Sequence, residues 1–164
     1  MNLEKQIGNA DDKTPFLPGR KQFGLREVRT LIVSENDSLA ERLARALSEA
    51  DFVWERARSI TAGCESARSR RFQVIVTTPL LADGSWRRLV DLAVHYNSGF
   101  VVILVATTID IQEWTEALEC GAFDVLDALH ELPRVAESVK SAAWAAYLKG
   151  AVRRTEAIGP SRAA

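Results

Sequence analysis

Short apolar runs alternate with stretches of helical periodicity through the middle of the chain. The apolar runs predict five strands, over residues 30–33, 52–57, 72–77, 100–105 and 122–127. The intervening stretches repeat apolar residues every three or four positions and predict helices over about 39–50, 60–70, 85–95, 110–120 and 131–150. The fourth run, FVVILV, is apolar throughout, as in a central strand covered on both faces. This alternation predicts an α/β fold: a doubly wound, five-stranded parallel sheet between two helix layers.

Capping residues mark the ends of two of these helices. Ser38 and Glu41 have the spacing of a capping box at the start of the first helix, and Asp110 and Glu113 have the same spacing at the fourth. Gly121 follows the fourth helix, where a glycine commonly ends a helix.

Both ends of the chain lack any regular period. Residues 1–28 mix Gly, Asn, Asp and Lys with two prolines and predict a flexible leader, and residues 151–164 predict a flexible C-terminal tail. The segment between them, 29–150, has the length of one ordinary domain within a chain of 164 residues.

Composition excludes several classes of protein. The chain is 47% hydrophobic and 26% charged, as soluble globular proteins are, and its formal net charge of −1 gives no general attraction to nucleic acid or anionic membranes. It contains no apolar run of ~20 residues for a membrane span. Cys64 and Cys120 lie far apart with no zinc-ligand spacing, which favours a reduced, cytoplasmic protein.

The residues that follow the strands are the candidates for a functional site, because ligands of such sheets bind beyond the carboxyl ends of the strands. Glu35 and Asp37 follow the first strand, but a Mg²⁺ site usually needs a further carboxylate or phosphate, and none follows the third strand. Nucleotide-binding glycine motifs and an identifiable nucleophile–base arrangement are both missing. We therefore predict no metal, no cofactor and no enzymatic activity.

Three segments resemble bacterial response-regulator receiver domains of the chemotaxis type. They read TLIVSENDSLAERLARAL, FQVIVTTPLLADGSWRRL and VVILVATTIDIQEWTEALECGAFDVLDAL, and the resemblance covers about residues 29–148. It implies a flavodoxin-like fold and a stand-alone signalling module of a two-component phosphorelay.

Most of the chemistry of that family does not carry over to this sequence. The phospho-accepting Asp corresponds to Thr78, and the Lys that neutralises the phosphoryl group corresponds to Ala128. The remaining positions correspond as follows: the acidic pocket to Ser34 and Glu35, the Ser/Thr switch to Ala106 (Thr107 with a shift of one residue), and the aromatic switch to Val125. The resemblance therefore implies a degenerate pseudo-receiver that works without phosphorylation.

The last predicted helix carries a second apolar stripe. Trp144, Leu148 and Val152 are spaced four residues apart and are offset from the stripe predicted to face the core. In receivers the corresponding face binds partners, so the stripe predicts a surface for a signalling protein or a second copy of the chain. The alternative is that the leader covers it through Phe16, Leu17 and Phe23.

Two functions follow from the sequence. The first is a signalling module that acts by protein–protein interaction. The second is a receiver-fold protein that senses a small ligand or a covalent modification in the crevice, with Glu35, Thr78 and Thr107 as its polar lining. An unrelated flavodoxin-like enzyme is a third, less favoured interpretation.

Overall fold

A computed structural model describes residues 27–96, 98–108 and 110–158 of the chain. The strands are β1 (Arg29–Val33), β2 (Val53–Ala57), β3 (Val74–Thr77), β4 (Leu80–Leu81), β5 (Gly84–Ser85), β6 (Val101–Ala106) and β7 (Asp124–Asp127). The helices are α1 (Asp37–Glu49), α2 (Ile60–Arg68), α3 (Arg87–His95), α4 (Ile111–Cys120) and α5 (Val135–Ile158). A 3₁₀ turn, Leu132–Arg134, precedes α5.

Five of the strands form one parallel sheet in the order β2-β1-β3-β6-β7. The predicted doubly wound α/β fold is confirmed, and all five predicted strands are present. The chain winds from β1 outward to β2 and then, through β3, to β6 and β7, so the direction of winding changes between β1 and β3. This change is where α/β sheets open a crevice at their carboxyl edge.

Two separate apolar cores lie on the two faces of the sheet. Leu31 and Val33 of β1 face the layer of α2, α3 and α4, whereas Ile32 faces the layer of α1 and α5. Every residue of β3 and β6 is buried, as expected of strands covered on both faces. Helix α4 is held much less tightly, because Ala117 is its one buried residue.

Several boundaries differ from the sequence prediction. The N-cap of α1 is Asn36, whose side chain accepts a hydrogen bond from the Leu39 amide at 2.9 Å, so the predicted Ser38–Glu41 capping box is wrong. The second predicted box is confirmed at α4, where Asp110 and Glu113 bond each other's backbone amides and Gly121 ends the helix with a left-handed φ of 118°.

The folded domain extends past its predicted boundary at both ends. Helix α5 continues to Ile158, so residues 151–158 are helical and do not belong to the predicted flexible tail. Residues 1–26 of the predicted leader and 159–164 of the tail lie outside the described residues. Val28 packs against the α1–α5 core and so belongs to the domain rather than to the leader.

The antiparallel hairpin of β4 and β5 was not predicted. It lies in the loop after β3, and each strand has two residues, which is too short to show a period of its own. No helix of the described part of the chain is long and apolar enough to cross a membrane.

Helix α2 packs on β1 through Gly63. A Cβ atom at this position would lie 2.9 Å from Cγ2 and 3.1 Å from Cγ1 of Val33, which is fully buried. The missing side chain therefore sets how closely the helix approaches the sheet.

We expect Gly63→Ala to destabilise the protein by about 1 kcal/mol, because an overpacking cost of about 1–3 kcal/mol exceeds the roughly 1 kcal/mol gained in helix propensity. In a Val33→Ala background the clash is absent, so the same change should instead raise the free energy of unfolding. Urea denaturation of the four proteins measures both effects. Stabilisation by Gly63→Ala alone would contradict the close approach.

Candidate functional site

A cleft of about 490 Å³ opens at the carboxyl edge of the sheet. The ends of β1, β3 and β6 meet there because the three strands are parallel neighbours. Its lining consists of Glu35, Asn36, Leu39, Thr78, Pro79, Leu80, Val105, Ala106, Thr107 and Thr108. A volume in this range suits a small ligand.

The structure brings four of the predicted site residues together. Glu35, Thr78, Ala106 and Thr107 all line the cleft, from three different strand ends. Thr78 is half-buried, and its amide donates to the Val33 carbonyl at 3.2 Å, which continues the β1–β3 ladder by one residue.

Three other predicted site residues lie elsewhere. Ser34 is buried, and its Oγ accepts a hydrogen bond from the Asn36 amide at 3.1 Å. Val125 packs in the core beneath α2, α3 and α4, and Ala128 packs in the core beneath α1 and α5. None of the three contributes a side chain to the cleft lining.

The acidic side chains after β1 are held by groups of the protein itself. Glu35 Oε2 accepts a hydrogen bond from the Ala82 amide at 3.0 Å, which ties β1 to the hairpin loop. Asp37 Oδ1 lies 2.8 Å from Arg56 Nη1 and 2.7 Å from Arg58 Nη1. The hydrogen bond from Arg56, reinforced by Arg58, lowers the pKa of Asp37 below its ordinary value.

Arg56 occupies a central position in this arrangement. Its guanidinium also donates to the Ser34 carbonyl, at 2.9 Å from Nη2 and 3.2 Å from Nε. The Arg56 guanidinium thus contacts both the carbonyl of Ser34, just after β1, and the carboxylate of Asp37, the first residue of α1. Within the described ranges, no group of three or more His, Cys, Asp or Glu side chains is placed to hold a metal ion.

Asp83 fixes the hairpin that forms one side of the site. Its Oδ2 accepts from the Thr61 amide and its Oδ1 from the Ile60 amide, both at 2.8 Å, at the start of α2. These backbone hydrogen bonds, with Thr61 first, lower the pKa of Asp83 to about 2. In the sequence Asp83 directly precedes Gly84, a pair that is typical of turns, but no local pattern indicates its link to α2.

A further pair lies just beyond β7 at the same edge. His130 Nδ1 is 2.8 Å from Asp127 Oδ2, and the hydrogen bond with Asp127 raises the pKa of His130 above its ordinary value. Asp127 also accepts from the Leu129 amide at 2.8 Å. His130 lies between the fifth predicted strand, 122–127, and the last predicted helix, about 131–150, and the sequence gives no signal for its pairing with Asp127.

We expect Asp83→Asn to lower the urea midpoint of unfolding at pH 7, because an amide oxygen replaces the carboxylate that accepts from two amides. Because folding lowers the pKa of Asp83, its carboxylate stabilises the wild-type protein fully above pH 3.8, the ordinary pKa. This stabilisation is lost as the pH falls toward the folded-state pKa of about 2. The difference in urea midpoint between wild type and Asp83→Asn should therefore shrink from pH 4 to pH 2.5.

Glu65→Gln, which removes an exposed carboxylate from α2, the helix that Asp83 contacts, is the matched control. It should leave the urea midpoint almost unchanged at every pH. A difference between Asp83→Asn and wild type that stays constant down to pH 2.5 would contradict the assigned role of the Asp83 charge.

The sequence matches no protein-family model, and no curated protein is significantly similar to it. Solved structures nevertheless share its fold. The signal receiver domain of a putative LuxO repressor protein from Vibrio parahaemolyticus is similar with a TM-score of 0.70 at 19% identity, over 77% of this chain and 98% of the other.

Two further structures give the same result. A CheY-like response regulator receiver domain protein from Methanospirillum hungatei has a TM-score of 0.65 at 17% identity, over 74% of this chain and 97% of its own. The beryllofluoride-activated NtrC4 receiver domain dimer has a TM-score of 0.65 at 21% identity, over 72% and 98%. These similarities and the sheet order show that the chain has the fold of response-regulator receiver domains.

Proposed function

We propose that this protein is a receiver-fold signalling module, a pseudo-receiver that acts by binding a protein partner and does so without phosphorylation. The observation that carries the proposal is Thr78 at the carboxyl end of β3, where the resemblance places a phospho-accepting carboxylate. A threonine hydroxyl needs an adjacent base to act as a nucleophile. Among the described residues, no carboxylate or imidazole is hydrogen-bonded to the Thr78 hydroxyl.

The charges around Thr78 support the same proposal. Phosphoryl transfer to a receiver requires a divalent cation and a positive group that offset the charge of the transferred phosphoryl. Glu35 and Asp37 are both engaged by groups of the protein, and Arg56 already provides the cation beside Asp37. At the position of the family's lysine, Ala128 presents a methyl group to the α1–α5 core.

A surface on α5 supports the binding role. Trp144, Leu148 and Val152 are 38%, 45% and 55% exposed, and the Trp144 ring is stacked on Tyr147 at 5.3 Å. We refer to Trp144, Leu148 and Val152 as the α5 stripe. One of the structures that share the fold is a receiver domain dimer. We therefore propose a second copy of this chain as the first partner to test at the α5 stripe.

The cleft supports one other candidate function. Its volume of about 490 Å³, its threonine hydroxyls and Glu35 would suit a small polar ligand that changes the position of the β4–β5 hairpin. This candidate predicts a thermal shift with a metabolite pool, whereas the principal proposal does not require one.

The absence of phosphorylation can be tested with acetyl phosphate and Mg²⁺. We expect intact-protein mass spectrometry to show no added phosphoryl group, and millimolar Mg²⁺ to leave the melting temperature unchanged, because the nucleophile and the cation site are both missing. A known phosphorylatable receiver treated in parallel verifies the reagents. Thr78→Asp should also remain unmodified, since no cation is present at residue 128. A stable phosphoryl adduct on the wild-type protein would refute phosphorylation independence.

The binding surface can be tested with Leu148→Glu. Burying one leucine is worth about 1.5–3 kcal/mol, so this change should weaken self-association by about tenfold or more and leave the monomer folded. Sedimentation over a range of concentrations measures the association. Leu129→Glu, at a leucine that is 60% exposed beyond β7, is the matched control and should have no effect. A wild-type protein that stays monomeric at high concentration would exclude a second copy as the partner.

A further inference from the structure

A second cleft lies on the face of α2 and α3, away from the carboxyl-edge site. Its volume is about 440 Å³, and Cys64 and Leu92 form an apolar part of its lining. Arg68, Arg70 and Arg88 add three guanidinium groups, and the other lining residues are Asp91, Tyr96 and Ser98. We refer to Arg68, Arg70 and Arg88 as the arginine cluster.

Among the described residues, the arginine cluster differs from most of the other arginines. Six of those others form ion pairs with carboxylates, and they are Arg29, Arg56, Arg58, Arg71, Arg87 and Arg134. In the part of the chain that the structure describes, Arg68, Arg70 and Arg88 form no such pair. Three guanidinium groups against the single carboxylate of Asp91 leave the cleft lining with a charge of +2.

Local helix electrostatics account for only part of this cluster. Arg68 lies in the last turn of α2, where a cation is favoured by the helix dipole. Arg88 lies in the first turn of α3, where the dipole disfavours a cation, and α3 has no acidic residue in that turn. The charge of Arg88 therefore has no stabilising partner within its own helix start.

Arg70 holds its side chain on a strained backbone. Arg70 follows the end of α2 with a φ of 60°, in the left-handed region where glycine is favoured, and its amide bonds the Ala67 carbonyl at 3.2 Å. An arginine thus occupies a position where any side chain is strained. Such positions are found at functional sites.

The charges also act on the floor of the cleft. Burial raises the pKa of the Cys64 thiol, and the nearby charges of Arg88 and Arg68 oppose that rise. Arg68 of α2 and Arg88 of α3, which have three strands between them along the chain, therefore both place positive charge near the buried Cys64 thiol. Among the described residues, Asp91 forms no ion pair with the arginine cluster, and its Oδ1 lies 3.4 Å from His95 Nε2.

We propose that the cleft between α2 and α3 binds a multiply charged phosphate anion, of the pyrophosphate or polyphosphate class, free or as part of a nucleotide. The planar guanidinium matches two phosphate oxygens at once, and several such groups suit a ligand with several oxygens and a charge of −2 or more. Tyr96, on the same lining, offers an exposed ring and hydroxyl for the remainder of the ligand. This site is independent of the cleft at the carboxyl edge.

Isothermal titration calorimetry with pyrophosphate, at low ionic strength and without divalent metal, tests the proposal. We expect one site per chain in the wild-type protein. Arg68→Gln and Arg88→Gln should each weaken binding by about tenfold, as expected for the loss of a hydrogen bond between charged groups. Both side chains are exposed, so the melting temperatures should change little.

Arg45→Gln is the matched control, because Arg45 is an exposed arginine on α1 that does not line this cleft. It should leave the affinity unchanged. Citrate, a tricarboxylate of comparable charge, should bind more weakly than pyrophosphate. Three outcomes would overturn the proposal: no heat of binding at millimolar pyrophosphate, a loss of affinity in Arg45→Gln equal to that in the cluster variants, or citrate binding as tight as pyrophosphate or tighter.

A titration with ATP distinguishes a nucleotide from a free polyphosphate. ATP that binds more tightly than pyrophosphate, with the gain lost in Tyr96→Ala, supports a nucleotide. ATP and pyrophosphate that bind equally well support the free anion.

Discussion

Burial of the central strands on both faces is the constraint on which the rest of this structure depends. All residues of β3 and β6 are buried, and apolar side chains alternate between two cores that the sheet separates. Parallel strands buried in this way must be joined by helices that return along a face of the sheet. As a result, the loops that follow β1, β3 and β6 all reach the same edge, and a cleft forms where the winding direction changes.

Polar groups at this edge are satisfied mainly by one another. The carboxylates of Glu35, Asp37 and Asp83 bond the hairpin loop, two arginines and the start of α2, respectively. Each of these contacts joins segments that are distant in sequence and so holds a loop in place. A carboxylate that already pairs with a guanidinium or accepts hydrogen bonds from backbone amides is less available to an added cation. The charged groups of this edge thus make their contacts within the fold, as the proposed role without phosphorylation requires.

Two other surfaces differ in character from this edge. The α5 stripe presents partly exposed apolar side chains, and the arginine cluster presents positive charge that forms no ion pair with a carboxylate among the described residues. They lie on opposite faces of the sheet, since α5 covers one core and α2 and α3 cover the other. Their chemistry also differs, because an apolar stripe suits a protein surface and a cationic cleft suits an anion. The two proposed recognition surfaces are thus separate from each other and from the carboxyl-edge cleft.

Local patterns in the sequence determined the strands, the order of the elements, the Asp110 capping box and the helix stop at Gly121, because periodicity and capping involve neighbouring residues. The same reasoning placed Glu35, Thr78, Ala106 and Thr107 at one edge, since parallel strands must end together. Only the tertiary structure decided that Asn36 rather than Ser38 caps α1, that Arg56 reaches the end of β1, and that arginines from α2 and α3 share one cleft. These features depend on contacts between residues that are distant along the chain, and such contacts are set by how helices pack on the sheet, which no local pattern records.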